Sequence, residues 1–438
     1  MTDSRFSKYQ NENQSWVSFL ENRVPMTSCH GEHHTKWLVI GAGLTGLSAA
    51  RRLAKLNPDD TVMLLDAREI GQSASGRNSG FAVAHSHFPG HFDAKLVKGY
   101  ERIDRLNIKG LDILRSEVSN NNIECDWQED GFYHAAADKK SLMACDDFID
   151  YLEHRQINFK TILQEELKEQ LGTLWYQKAV KVGEGVLINP TKLLFGLAES
   201  IPKNVTLYEN SPVITLSGKK QITLKTPHAS IKADKVLMAC NYEATHLNHL
   251  KQKILGITLT GSFTRRLTDE EFDSLGKASS WGVLSLHGGG ATLRLTKDRR
   301  IALRNTAEYN KGKLFSVSQM ATRIQIHRQA FENRFPQLKA VPFEESYSCV
   351  EGVSANKTNF FKKLSDNLFV AGGFNGSGIS KGVAFGTALA EYASSETSEL
   401  ISDCLQCPNA LRMPPSPMLG VGARFLIRQR FNGVGKDR

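Results

Sequence analysis

No run of about eighteen apolar residues occurs in this 438-residue sequence, so no segment reads as a membrane-crossing helix. The polar opening, MTDSRFSKYQNENQSW, has none of the apolar core of a secretory signal. Cysteine is sparse and odd in number: seven residues, at 29, 125, 145, 240, 349, 404 and 407. That excludes a disulfide scaffold and points to a reducing, cytoplasmic setting. Cys404 and Cys407 share a CxxC spacing with no second pair, so neither a zinc site nor a redox motif is read there. Acidic residues are outnumbered, 46 against 55 basic, which leaves a net charge of +9. No zinc finger, RNA-binding signature or basic stripe with interleaved aromatics accompanies that excess, so it is not read as nucleic-acid binding. Hydrophobic residues make up 40% of the chain, enough for a large core in two lobes.

The most organised stretch is Trp37 to Asp66. Trp37–Ile40 reads as a buried parallel strand that meets Gly41-Ala42-Gly43-Leu44-Thr45-Gly46. A helix follows through Ala49, Ala50, Leu53 and Leu56, and a second apolar run ends on Asp66, twenty residues after Gly46. Gly41 permits a tight turn, Gly43 lets the backbone approach a pyrophosphate, and Gly46 lets helix and strand pack closely. The helix start offers free N–H groups to phosphates, and Asp66 can accept from a ribose diol. The alternative is a purely structural βαβ unit, but strand, glycines, helix, strand and acid in register favour a dinucleotide.

Asp66 runs into Ala67-Arg68-Glu69-Ile70-Gly71 and a polar loop, Ser73-Ala74-Ser75-Gly76-Arg77-Asn78-Ser79-Gly80, where a nicotinamide domain would add further βα units. Far downstream, the strand Asn367–Ala371 opens onto Gly372-Gly373-Phe374-Asn375-Gly376-Ser377-Gly378-Ile379 and a helix, roughly Lys381–Ala393. This second glycine-rich helix start suits an electron-rich ring carbonyl. The set GAGLTGLSAARRLA, DAREIGQSASGRNSGF and NLFVAGGFNGSGISKG resembles the FAD-dependent amine and amino-acid oxidases of the D-amino-acid oxidase superfamily. The ASGRNSG loop and the hairpin Ala291–Arg300, ATLRLTKDRR, are most similar to the γ-glutamylputrescine oxidase branch.

The resemblance implies an α/β fold with an α+β substrate lobe: a Rossmann-like FAD-binding domain of glutathione-reductase type, interleaved with an antiparallel-sheet substrate domain. Residues 1–35 would form an arm; 36–95, 185–250 and 345–400 the FAD-binding domain; 96–184 and 251–344 the substrate domain; 401–438 a basic tail. FAD would lie along Gly41, Gly43, Leu44, Thr45 and Gly46, then Asp66, Ala67 and Arg68. The loop Ser73, Ala74, Ser75, Gly76, Arg77, Asn78 and Ser79 would follow, with Val213, Cys240 and Asn241 beside it. Gly373, Phe374, Asn375, Gly376, Ser377, Gly378 and Ile379 would hold the ring end.

Candidate catalytic residues are His85 or His87 as a polar pocket wall, Trp281, and Lys381 as the cation that assists reaction with dioxygen. Each has a structural alternative: loop hydrogen bonding, strand core, or a surface helix position. His287, Arg294 and Tyr347 are also placed to line the substrate sheet. No metal site is read: the histidines of HGEHH at 30–34 and those at 85, 87 and 91 lack partner ligands at a usual spacing. Ser354–Lys363 departs from the acidic residue and proline-glycine turn usual in the family. In the sarcosine-oxidase branch a cysteine near the place of Cys349 is bonded to the flavin; the reading here is a buried thiol, with attachment the alternative.

The function implied is oxidation of a C–NH bond of an amine, polyamine derivative or amino acid, with O2 or a quinone as acceptor. A quinone-linked dehydrogenase, an NAD(P)H-dependent hydroxylase and a flavoprotein with a binding or assembly role are the competing readings. The tail after Pro414, Pro415 and Pro417 holds a basic amphipathic helix near Gly422–Phe431. Its apolar face is expected to pack on the protein's own body; peripheral contact with an anionic membrane is the alternative.

Overall fold

The computed structural model describes residues 15–85, 97–287 and 289–438. Two eight-stranded sheets carry the chain. The first runs Phe360–Ser365, Leu368–Gly372, Ala229–Met238, Gly31–Ile40, Val62–Leu65, Val205–Tyr208, and from Leu368–Gly372 to Val205–Tyr208 every pairing is parallel. The parallel strands bury apolar runs where they meet at the centre of the sheet, Trp37–Ile40, Val62–Leu65, Val236–Met238 and Leu368–Ala371, as burial on both faces requires. The hairpin Thr215–Ser217 and Ile222–Lys225 branches from Ala229–Met238.

The second sheet runs Phe343–Val353, Leu255–Thr264, Ile301–Glu308, Thr292–Leu295, Trp281–Ser285, Phe132–Ala136, Lys178–Val182, Phe159–Leu163. It is antiparallel except where Trp281–Ser285 meets Phe132–Ala136. Helix Val317–Arg334 covers one face, with Phe331 and Phe335 in the core beneath it.

Two local differences from the sequence reading have a common cause, pairing that propensity does not encode. The first strand begins at Gly31, because the Ala229–Met238 strand offers ten residues of parallel partner; Glu32, His33 and His34 are thus strand, not loop. The strand Phe343–Val353 pairs with Leu255–Thr264 along its whole length, so the second sheet claims residues past 345.

Helix Leu44–Leu56 packs against helix Ile379–Ala393 almost backbone to backbone. A Cβ on Gly386 would lie 2.1 Å from Thr45 O, and one on Gly382 3.0 Å from Thr45 Oγ1. Helix Val97–Asn120 approaches from the other side, where a Cβ on Gly110 would lie 1.9 Å from Ser380 O. These small residues set the closing helix directly behind both glycine turns.

The tail forms helix Met418–Asn432, and residues 433–438 dock on the second sheet. Arg334, almost fully buried, donates to the Asp437 carbonyl at 3.0 Å and the Arg438 carbonyl at 3.2 Å. Ser285 Oγ donates to Asp437 Oδ2 at 2.8 Å, while Asp437 Oδ1 is buried without a partner among the described residues. Burial, helped by the Asp138 carboxylate, pushes Asp437 up to about 6 against the pull of Ser285 and Arg334. A carboxyl raised on docking contributes stability that is complete below its free value near 3.8 and lost as pH rises through about 6. Protection of the amides of residues 433–438, taken relative to their intrinsic exchange rate at each pH, should therefore rise on acidification from pH 7.5 to 5.5, and in Asp437→Asn it should be the same at both. Equal protection of the wild type at the two pH values would refute this.

Candidate active site

Glycine conformation builds the first half of the site. Gly41 sits at φ +98° and donates to Leu65 O at 2.7 Å. A Cβ on Gly46 would lie 1.6 Å from Gly41 O, so only glycine closes this turn. Helix Leu44–Leu56 starts with no side-chain cap; Leu44 N instead donates to Ser75 Oγ at 3.2 Å. A Cβ on Gly43 would meet that same hydroxyl at 2.6 Å. The Ser73–Ser79 loop therefore lies over the helix start, where phosphate oxygens would find N–H donors on one side and a hydroxyl on the other.

Asp66 is buried and accepts from Ala42 N at 2.7 Å and Arg68 N at 2.9 Å. Burial raises its carboxyl against the pull of those two N–H groups. Its first task is to hold the glycine turn; ribose would be a further partner. Asp66→Ala leaves two buried N–H groups unpaired, about 1–3 kcal/mol each, and should weaken FAD retention by roughly tenfold or more. Calorimetric titration of the apoprotein checks this; unchanged affinity would contradict the assignment. Beside Asp66, Ser211 N donates to Asp66 O at 2.7 Å and brings buried Val213 into the same edge.

The second half lies at the neighbouring strand ends. Asn241, at φ +47°, accepts from Gly373 N at 2.7 Å. Cβ atoms on Gly352 and Gly372 would lie 2.6 and 3.1 Å from its Oδ1, so one amide pins three strand ends together. Gly373, Asn375 and Gly376 all take positive φ, and helix Ile379–Ala393 starts at Gly378 without a side-chain cap. Asn375 fixes this turn through Ser354 N at 2.9 Å and Thr358 O at 3.0 Å. Two uncapped helix starts, joined through the Gly382 and Gly386 contacts with Thr45, fit the two ends of one extended dinucleotide such as FAD.

Beside the second turn lies a cluster of charged groups. Glu351 projects from the strand Phe343–Val353 so that a Cβ on Gly376 would lie 3.2 Å from its Oε1. Burial raises its carboxyl although Arg304, Arg430 and Lys381 all draw it down. Arg304 donates to Thr292 Oγ1 at 2.7 Å and has no carboxylate partner among the described residues. Lys381 is buried, not on the surface; its Nζ donates to Phe374 O at 3.2 Å, and burial lowers it to about 8. Sequence reasoning missed Glu351 and Arg304. Glu351 stands two residues from Cys349, on the same side of its strand, and that spacing was the available signal.

The other expected residues are placed as follows. Trp281 shares the core with Phe335 (ring centroids 6.1 Å apart), beneath helix Val317–Arg334, and is not brought to the cluster. Strand alternation places it with its partner Leu295, on the face opposite Arg294. His85 Nδ1 faces Asp104 Oδ2 at 3.2 Å and its Nε2 lies 2.9 Å from Glu184. Arg155 also holds Asp104, at 3.1 Å, so His85 belongs to an ionic cluster. His87 lies outside the described residues. Arg77 is buried and donates to Gln72 Oε1 and Ser348 O rather than projecting toward the glycine turn. Arg294 clamps Ile188 O, Ser79 O and Gly80 O under the Trp16 ring. Cys349 packs with Trp16, Phe263, Ala302 and Tyr347, and burial pushes its thiol up to about 12. Cys240 is likewise pushed up to about 12 by burial. No cluster of potential metal ligands occurs among the described residues, and all seven cysteines are free.

Comparison with known proteins agrees with this geometry. The family described as DAO, FAD dependent oxidoreductase, matches residues 36–392. A probable oxidoreductase, OrdL, of Haemophilus influenzae is 24% identical over 377 residues, covering 82% of this chain and 82% of that protein. The γ-glutamylputrescine oxidoreductase of Escherichia coli is 24% identical over 361 residues, covering 81% and 82%. Among solved structures, glycine oxidase from Geobacillus kaustophilus superposes with a TM-score of 0.70 at 16% identity, over 84% of this chain and 96% of that one. Iminodiacetate oxidase from Chelativorans sp. BNC1 gives 0.66 at 17%, over 83% and 96%.

Proposed function

This chain belongs to the DAO family of FAD-dependent oxidoreductases, and from that premise we propose that it oxidises the C–N bond of an amine or amino acid, with O2 as the acceptor. The observation that carries the reading is the charged cluster at the second glycine turn, with Glu351 beside Gly376 and Arg304 near enough to draw on its carboxyl. The relatives named above act, by their names, on γ-glutamylputrescine, glycine and iminodiacetate, each of which pairs an amine with a carboxylate. The chemistry that FAD supplies, once bound, is acceptance of a hydride from the carbon next to nitrogen, leaving an imine for water to hydrolyse.

The chain's own residues do the rest. The Glu351 carboxylate can accept from the substrate amine and aim its α-carbon at the turn, while Arg304, with no carboxylate partner of its own, can hold an anionic group. The N–H groups of the Ile379 helix start favour negative charge collecting at that end of the site. Lys381, held against Phe374 O, favours the charge that develops as O2 is reduced.

Two opposed pH dependences follow. Flavin reduction should quicken as pH rises, until the bound amine is neutral. Reoxidation by O2 should slow as pH rises through about 8, where Lys381 loses its proton, and Lys381→Met should be slow and flat. Stopped-flow measurement of the two half-reactions separates them; a reoxidation rate unaffected by Lys381→Met would remove that residue from the scheme.

A further inference from the structure

The tail helix Met418–Asn432 is seated the wrong way round for a helix whose only partner is its own protein. The residues it buries are small, Gly420 and Ala423. Its large apolar side chains point outward: Met418 is 66% exposed, Val421 67%, Phe425 66% and Leu426 63%. Met418, Val421 and Phe425 recur at i, i+3 and i+7, one stripe of a helix, and Leu426 widens it. Nothing among the described residues covers them.

The seat is firm. A Cβ on Gly420 would lie 3.0 Å from the Tyr309 ring, over which Arg424 stacks at 5.6 Å. Beyond the helix, the Arg334 and Ser285 contacts to Asp437 hold the far end. The outward face is thus presented by a fixed helix.

Charge selects the partner. Arg424 and Arg428 border the stripe on one side by helical spacing and Arg430 on the other, and Arg412 precedes it; no Asp or Glu occurs between Asp403 and Asp437. Two copies meeting through this face would oppose like charges. At fifteen residues the helix is about 22 Å long, too short to cross a bilayer, and no described helix is long and apolar enough to do so. An apolar stripe flanked by arginines, whose stems extend along apolar surface while their heads reach phosphate, suits the headgroup layer of a membrane. We propose that the tail helix is an interfacial anchor that binds anionic lipid surfaces and brings the enzyme to them.

Flotation of the holoenzyme with vesicles tests this, using phosphatidylglycerol mixed into phosphatidylcholine against phosphatidylcholine alone. Expected is co-flotation with the anionic vesicles, at least tenfold weaker on neutral ones and weakened by salt. Phe425→Ser with Leu426→Ser, and separately Arg428→Glu, should each lose at least tenfold in binding while keeping FAD and melting temperature. The proposal is overturned if wild type fails to float with anionic vesicles, or if the variants float as well as wild type. It is equally overturned if light scattering shows a dimer that Phe425→Ser with Leu426→Ser makes monomeric, for then a second copy covers the stripe.

Discussion

Gly43→Val should give a colourless protein that still folds. The contact its Cβ makes is with Ser75 Oγ, at 2.6 Å, the end of a rotatable side chain that can turn away. The space it takes is the approach to the uncapped start of helix Leu44–Leu56, where the pyrophosphate must come within hydrogen-bond reach of the backbone. Folding and cofactor binding therefore separate at this position. They do not separate at Gly46, where a Cβ would lie 1.6 Å from a backbone oxygen, so Gly46→Ala should be recovered poorly or unfolded. Flavin content by absorbance and secondary structure by circular dichroism distinguish the two. A Gly43→Val protein with a full complement of FAD would place the pyrophosphate elsewhere.

Glu351→Gln should keep its FAD and lose activity. A hydrogen bond to a charged group is worth about 1.5–3 kcal/mol, so kcat/KM for an amine substrate should fall roughly 10- to 150-fold. The loss should appear in flavin reduction at every pH; reoxidation should change only through Lys381, whose proton Glu351 helps to hold, so at low pH it should be unaffected. The substitution also removes a negative charge that Arg304, Arg430 and Lys381 feel, so binding of a substrate carboxylate should not weaken. Rapid mixing under anaerobic conditions reads the reductive step alone. A variant that reduces as fast as wild type would take Glu351 out of the site.

The two glycine turns were legible in the sequence because each demands a backbone that side chains obstruct, and the demand falls on residues close together in the chain. Asp66 was legible as the acid at the strand end, though not that it holds Ala42 N and Arg68 N of the turn itself. The charged cluster was not. Glu351 and Arg304 lie on the second sheet and come into one neighbourhood only because Leu255–Thr264 pairs with both of their strands. Trp281 misled because its residue type suggests a pocket while its strand register sends it into the core with Leu295. For Lys381 the surface position, the structural alternative to a catalytic one, is excluded because helix Ile379–Ala393 is enclosed nearly all round by Leu44–Leu56, Val97–Asn120 and Leu368–Gly372. The tail's amphipathic helix is legible in its sequence, but the direction of its apolar face is not. The expectation that an apolar face turns inward fails where Gly420 and Ala423 supply the closer fit.

If the two glycine turns hold one FAD with its ring end beside Glu351, an amine should reduce it. Anaerobic mixing of the yellow protein with a panel of amines, amino acids and α-hydroxy acids reads that step. Bleaching of the flavin by at least one amine-bearing compound, with one equivalent of carbonyl product per flavin and no response to the matched hydroxy acid, is the result predicted here. Bleaching by hydroxy acids with no response to any amine would contradict it.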